Sequence, residues 1–367
     1  MSEGIKQRTG ASKRTSADHV NELKESRDRS KSKQQKRSFL SSLLLGIFSF
    51  IWLLVKVVFT AISMLYLVCV ILMYSSPALR EHIIYLNSLR NPFEKLSDPV
   101  SFGLPMNTVN FYITGSVGRL GAWDIPAEPV SKIQDSQPEM HSHLKDGKTI
   151  ILYLHGNAYT RATGHRIGIY KRLIALGYHV ITIDYRGFGD SQGKPSENGL
   201  IQDGVSAMMW IRSQSPDASL YIWGHSLGSG VAGGVAKILC DEGAPPSGII
   251  LEAPFNNVWE GAVKHPITIP FRFLPYFNET VLDEVKEVFR TDKRLADVYC
   301  PILILHDRED EIISFELGKK LYETAKKTRP ADAGPIKFIE FNENLGHKWI
   351  YLSERVPEIL RDFIKSK

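Results

Sequence analysis

The sequence predicts an α/β fold built on a mostly parallel, doubly wound sheet, with a membrane helix ahead of it. Three observations predict it. From about residue 109, short runs apolar on both faces alternate with helix-length amphipathic segments. Runs of that kind suit the buried strands of a parallel sheet, and their alternation with helices implies double winding. Upstream, residues 39–74 form an apolar stretch broken by a single charge, Lys56. Finally, the pentapeptide Gly224-His225-Ser226-Leu227-Gly228 stands where one of the apolar runs gives way to a helix-length segment.

The 367 residues, 43% of them hydrophobic, supply one large domain plus an N-terminal appendage, with apolar material for a core that needs no metal or disulfide staple. The net charge of +5 is uneven. Residues 1–38 hold eleven Lys/Arg against five Asp/Glu, leaving 34 against 35 for the remainder. A nucleic-acid-binding catalytic domain would carry basic patches of its own, so that class is excluded. Three cysteines, one of them (Cys69) inside the apolar stretch, make no disulfide framework, and Cys240 and Cys300 read as buried free thiols.

Residues 1–38, rich in Ser, Lys, Gln and Arg and without hydrophobic periodicity, read as a disordered basic tail that stays in the cytoplasm. Residues 39–76 read as the membrane segment. A lysine at the bilayer centre costs about 2.5–3.5 kcal/mol, whereas near a helix end it reaches the interface. Lys56 therefore places the span at about 55–76. A hairpin of two spans is the alternative, and it would return the following domain to the cytoplasmic side. With one span that domain lies across the membrane, where the sequon Asn278-Glu279-Thr280 is usable for glycosylation.

Residues 77–108 read as a linker and 109–367 as the catalytic domain. Strands are expected at 109–114, 149–154, 179–184, 220–223, 248–251, 301–305 and 336–341. Helices are expected near 163–177, 196–214, 227–242, 315–328 and 353–365. Residues of about 255–298 break the alternation with a Pro- and aromatic-rich stretch, 265–277, read as a cap over an acyl chain.

The motif Gly224-His225-Ser226-Leu227-Gly228 matches G-x-S-x-G between strand and helix, the context of a nucleophile elbow. Ser226 is the candidate nucleophile, and a histidine must take its proton. In the α/β-hydrolase fold the order is serine, acid, histidine. Of the histidines after Ser226, His265 and His306 precede the acid loop, which leaves His347. The acid loop holds Asp307, Glu309 and Asp310. Asp310 opens D-E-I-I-S, close to the usual D-x-V-V-P pattern, and is favoured; Asp307 is next, with Glu252 a remote alternative. The oxyanion hole takes the N–H of Leu227 and a second from the loop Leu154-His155-Gly156-Asn157-Ala158, with Ala158 favoured over Asn157. His155 orients that loop. The block Asp184-Tyr-Arg-Gly-Phe-Gly-Asp190 reads as packing at the sheet edge. No phosphate-binding P-loop and no clustered metal ligands appear, so no cofactor is expected.

Taken together, residues 154–158, 184–187, 221–228, 300–306 and 317–322 closely resemble the membrane-anchored α/β-hydrolase domain lysophosphatidylserine lipases, also described as monoacylglycerol lipases. The likeness covers about 105–365 and the single N-terminal span. It implies Ser226, Asp310 and His347 as the triad, an integral protein of the endoplasmic reticulum with a lumen-facing site, and single-chain lipid esters as substrates. The implied partners are a lipid substrate and the membrane. Tyr159 stands where the family has glycine, and Ser314 where it has proline. An acyl-protein thioesterase of the same fold is the competing enzyme class, a peptidase the next. A non-catalytic scaffold is the remaining reading, against which the full set of triad candidates argues.

Overall fold

A computed structural model describes residues 16–76, 84–127, 140–277, 279 and 283–365. The chain divides into two units, Met1–Ile71 and Leu72–Lys367. Helix α1 (Ser16–Ser75) is a single continuous helix of 60 residues, about 90 Å at 1.5 Å per residue. It passes through Lys56 without a turn, so the hairpin alternative has no support. It also begins well inside the segment expected to be a disordered tail. The physical reason is composition. Residues 16–38 contain no Gly or Pro and are rich in good helix formers, and extending a helix already nucleated by the apolar stretch costs no new nucleus. Glu25 and Arg29 add an i,i+4 ion pair at 3.5 Å. Residues 1–15 lie outside the described residues.

Among the described residues, α1 is the one helix long and apolar enough to cross a membrane, with a most apolar window of mean hydropathy 2.4. A run of exposed Phe, Leu, Ile and Val of this length has no stable home in water. α1 thus has the length and composition of a single-pass membrane anchor.

The second unit holds an eight-stranded sheet, β1 (Val109–Gly115), β2 (Gly118–Ile125), β3 (Ile150–Leu154), β4 (His179–Ile183), β5 (Leu220–His225), β6 (Gly248–Glu252), β7 (Ile302–Asp307) and β8 (Ile336–Phe341). Their order is β1-β2-β4-β3-β5-β6-β7-β8, antiparallel over the first three and parallel from there on. The order reverses at β3, which lies between β4 and β5. All seven expected strands are present. β2 was not legible: Gly-Arg-Leu-Gly-Ala-Trp-Asp-Ile carries two glycines and no clean alternation, and it becomes a strand by pairing back on β1 across Ser116-Val117.

Side chains alternate between two cores, as a period of two requires. Leu152 and Ile222 face one layer, Tyr153 and Trp223 the other, all of them buried. Covering these faces are α2 (Gly164–Ala175), α3 (Glu197–Gln214), α4 (Leu227–Asp241), α7 (Phe315–Thr328) and α8 (Val356–Lys365). Between β6 and β7 the described residues form short pieces, among them α5 (Val258–Lys264), a 3-10 turn at Pro266–Phe271 and α6 (Thr291–Arg294). Asn278 lies outside the described residues.

The region 77–108 is more than a linker. Residues 84–108 fold onto the sheet unit: Trp123 Nε1 donates to Leu96 O at 2.8 Å and Asn87 Nδ2 to Gly187 O at 2.9 Å. The polar composition of 87–101 hides this, because the ties are backbone carbonyls met by distant donors.

Candidate active site

β5 ends at His225 and α4 starts at Leu227, so the reversal falls on one residue, Ser226, with φ 53° and ψ −120°. A non-glycine residue held there carries backbone strain of about 1–3 kcal/mol, which the surroundings must hold in place. They do so by close approach. A Cβ on Gly224 would lie 2.3 Å from Gly228 O, and one on Gly228 would lie 2.0 Å from Leu154 O. The Ser226 N–H donates to Glu252 O at 2.9 Å, and the Ser226 carbonyl accepts from Ser229 N and Oγ at 2.9 and 2.6 Å. The serine side chain thus sits at the N-terminus of a 15-residue helix, where partial positive charge favours an anion.

His347 Nδ1 lies 2.8 Å from Asp310 Oδ2, placed for Nδ1–H to donate to the carboxylate. The other oxygen of Asp310 accepts the N–H groups of Ile312 and Ile313 at 2.9 and 2.8 Å. His306 Nε2, which donates to Ile313 O at 3.0 Å, stands 3.3 Å from Asp310 Oδ2. Burial acts to raise the Asp310 pKa, but the hydrogen bonds from His306 and His347 outweigh it and hold the carboxyl well below the usual range. The competing acid Asp307 has a different task. Its Oδ1 accepts Glu309 N at 2.9 Å and Gly346 N at 3.2 Å, tying the acid loop to the loop of His347. Of the two histidines that sequence order sets aside, His265 lines the cavity of Ser226 and His306 lies against Asp310.

Two residues that sequence reasoning passed over complete the support. His225 Nε2 donates to the carbonyl of His347 at 2.8 Å, so the middle residue of the serine motif grips the histidine loop. Arg166 on α2 is 1% exposed and donates to the carbonyls of Thr160, Gly156 and Ala158 at 2.6, 2.9 and 2.9 Å. No carboxylate partners it among the described residues. Its charge is felt nearby: burial, and after it the Arg166 charge, pushes His165 down to about 3. The signal was present as an arginine inside an otherwise apolar helix face, but sequence alone does not say whether such a residue faces in or out.

The loop after β3 lies against the serine, since a Cβ on Gly156 would be 3.1 Å from Ser226 Cβ. Of the oxyanion candidates, Ala158 has its N–H turned to Asn157 Oδ1 at 2.9 Å, while the Asn157 side chain donates to Ile84 O at 2.6 Å. Leu227 opens α4 immediately after Ser226. Tyr159, where the resembling family has glycine, has φ 58°, a conformation glycine adopts without cost, and its N–H donates to Leu89 O at 2.8 Å. His155 is fully buried and lies 3.3 Å from Asp184, which also pairs with Arg161; that ion pair and Asp190 hold the loop from behind. The Asp184–Asp190 block is therefore structural.

Ser226, His347 and Leu227 line one cavity of about 400 Å³. Its walls are mostly apolar: Leu89 from the segment after the anchor, Phe255, Val258 and Phe277 from the β6–β7 insertion, and Ile312 and Ile313 from the acid loop. Met73, in the last turn of α1, lines it as well. Lys348 and Arg166 are its cationic members and His165, His225, His265 and His347 its histidines, and no carboxylate lines it among the described residues.

Glu252 lies beneath this site, fully enclosed, with Trp223 Nε1 donating to its Oε2 at 2.8 Å. Burial pushes its carboxyl up to about 7 from an ordinary 4.5, against the Trp223 hydrogen bond and with the Asp310 charge adding to the rise. A raised acid is stabilising while protonated in the fold. Its contribution is complete below about 4.5 and is lost as pH rises through about 7. Wild type is expected to lose on the order of 3 kcal/mol over that window relative to Glu252→Gln. Denaturant midpoints of both proteins in detergent from pH 4.5 to 8 measure it, and parallel curves would refute the assignment.

A family model described as serine aminopeptidase, S33, matches residues 145–278. The chain is 40% identical over 325 residues to a protein of Danio rerio named lysophosphatidylserine lipase ABHD12, covering 86% of this chain and 82% of that one. It is 35% identical over 310 residues to the Homo sapiens protein ABHD12B, covering 80% of this chain and 84% of that one. Among solved structures, an alpha-beta hydrolase from Vibrio vulnificus superposes with a TM-score of 0.60 at 19% identity, over 78% of this chain and 94% of that one, which shows the fold.

Proposed function

The chain belongs to the lysophosphatidylserine lipase family of α/β-hydrolases, and from that premise we propose that it cleaves the acyl ester of single-chain lipids, lysophosphatidylserine and other lysophospholipids or monoacylglycerols, through Ser226, His347 and Asp310. One observation carries the reading. A serine on a strained elbow and a histidine held by a buried carboxylate open into the same mostly apolar cavity.

The chemistry follows from those positions. His347 takes the Ser226 proton as Oγ attacks the acyl carbonyl, and Asp310 holds the imidazole in the tautomer that leaves Nε2 free to accept. The tetrahedral oxyanion is met by the N–H groups of Leu227 and Asn157. Asn157 is preferred to Ala158 because the Ala158 N–H is engaged within its own loop. His347 then returns the proton to the departing glycerol oxygen. Water repeats the sequence on the acyl-enzyme and releases the fatty acid. The cavity volume, at the low end for ligand sites, suits one acyl chain. Lys348 and His265, with no carboxylate among the described lining residues, suit a phosphate-bearing head group. In this reading the anchor lies in the endoplasmic reticulum membrane, the N-terminus is cytoplasmic, the catalytic domain is lumenal and Asn278 is glycosylated.

Arg166 is a positioning residue in this scheme. By gathering carbonyls on one side of the loop it turns the opposing N–H groups toward the serine, and its unpaired charge favours the oxyanion. Arg166→Met is expected to lower kcat about 10²–10³-fold with little change in KM, and Arg166→Lys to recover part of it. A rise in KM at constant kcat would refute that role.

The substrate reading is tested on purified full-length protein with a panel of lysophosphatidylserine, neutral lysophospholipids, monoacylglycerols and a palmitoyl-cysteine peptide. Hydrolysis of the lipid esters with the peptide untouched is expected. Hydrolysis of the peptide alone would transfer the protein to the thioesterases. Sensitivity of the expressed protein to an endoglycosidase, lost in Asn278→Gln, tests the lumenal orientation.

A further inference from the structure

The stretch 264–277 in the β6–β7 insertion has two faces. Inward, Phe277 is 2% exposed, stacks on Phe271 at 5.9 Å between centroids and shares a small core with Met73; Thr268 and Phe277 line the cavity of Ser226. Outward, Ile269 is 51% exposed, Tyr276 74% and Phe273 89%. Three large apolar or aromatic side chains within eight residues form a patch that a water-facing surface has no use for. The same stretch contains Lys264 and Arg272 and no Asp or Glu. Apolar and aromatic side chains combined with cations and without acids make the composition of an interfacial element on a lipid surface.

The location of the stretch selects its partner. Tyr74, next to last in α1, donates through its hydroxyl to Pro275 O at 2.7 Å. Tyr74 belongs to the same compact unit as this stretch and follows the anchor unit by three residues in sequence. We propose that Ile269, Phe273 and Tyr276 enter the lipid interface, a second membrane contact in addition to the anchor, and so set the cavity mouth on the bilayer surface. The lipid then passes from the bilayer into the cavity past residues whose neighbours, Thr268 and Phe277, already line it. Water need not be crossed by the acyl chain, which would otherwise leave the hydrocarbon at about 0.8 kcal/mol per CH₂. The inference deepens the lipid-ester reading and rests on it for the substrate, but the membrane contact itself stands on the exposed patch and the Tyr74 bond.

The test uses the full chain reconstituted in phosphatidylcholine vesicles. Ile269→Glu, Phe273→Glu and Tyr276→Glu, combined, are expected to lower hydrolysis of vesicle-borne monoacylglycerol roughly tenfold. Fluorophosphonate labelling and hydrolysis of a water-soluble short-chain nitrophenyl ester should stay at the wild-type level, since none of the three lines the cavity. In Phe273→Trp, the added emission relative to the parent protein should be blue-shifted and quenched by brominated phosphatidylcholine. Unchanged vesicle hydrolysis, equal loss on the soluble ester, or an added tryptophan quenched only by aqueous iodide would each overturn the proposal. Loss of both substrates in wild type would instead remove the lipid-ester reading and leave the tryptophan result standing by itself.

Discussion

Ser226→Ala is expected to abolish covalent labelling by a fluorophosphonate and to cut ester turnover about 10⁶-fold, the scale seen when a triad nucleophile is removed. The size follows from how much of the site exists for that one oxygen. The elbow stores strain at Ser226, two glycines permit a reversal no other residue would fit, and α4 points its N-terminus at the hydroxyl. None of these features stabilises the fold better than an ordinary turn would. They are what the proposed nucleophile at Ser226 requires. The alanine variant keeps the backbone bonds from Ser226 N to Glu252 O and from Ser229 to residue 226, so it should fold with an unchanged thermal midpoint. Labelling of Ser226→Ala at the wild-type level, in protein that melts normally, would end the assignment of the nucleophile. What activity survives measures the oxyanion donors and binding alone.

The legibility of this site in the sequence divides along a physical line. Ser226 and the strand ahead of it are local: a strand–turn–helix with glycines flanking serine is specified within a dozen residues. His347 and Asp310 could be named by order, since the fold admits the acid after one strand and the histidine after the next. The supports were not legible because they are long-range and mediated by backbone. Arg166 acts on carbonyls of residues 156–160, His225 on the carbonyl of residue 347, and Asp307 on the N–H of Gly346. A carbonyl has no sequence signature, so a donor aimed at one cannot be matched to its acceptor by pattern. The same holds for β2, whose strand character comes from the β1 partner, and for residues 84–96, whose mixed composition without a helix or strand period conceals the wall they build beside the Asn157 loop. Membrane helix α1 shows the converse error. Composition marked its first turns as unstructured, yet a helix propagating from an apolar segment runs through polar residues that would not nucleate one.

Asp310→Asn carries the second largest expected effect, a loss of about 10⁴ in kcat, by the mechanism known for that swap in a serine protease triad. The asparagine keeps an oxygen to accept the N–H groups of Ile312 and Ile313, so the loop is retained. Its amide nitrogen then faces His347 Nδ1, now as a donor. Nδ1 must become the acceptor and Nε2 must carry the proton, which leaves the ring unable to take the proton of Ser226. The imidazolium also loses the anion that would balance it in the transition state. Asp307→Asn separates chemistry from scaffolding. Asp307 touches backbone N–H groups at Glu309 and Gly346, and its loss should lower the thermal midpoint and loosen the histidine loop while leaving the shape of the pH–rate profile unchanged. Glu252, raised by burial and hydrogen-bonded to Trp223, should tolerate Glu252→Gln with a small change in rate. Measured side by side, kcat should fall steeply only for Asp310→Asn. If Asp307→Asn or Glu252→Gln proved the more damaging to kcat in well-folded protein, the charge that serves His347 would have to be sought there, and the triad would be redrawn around it.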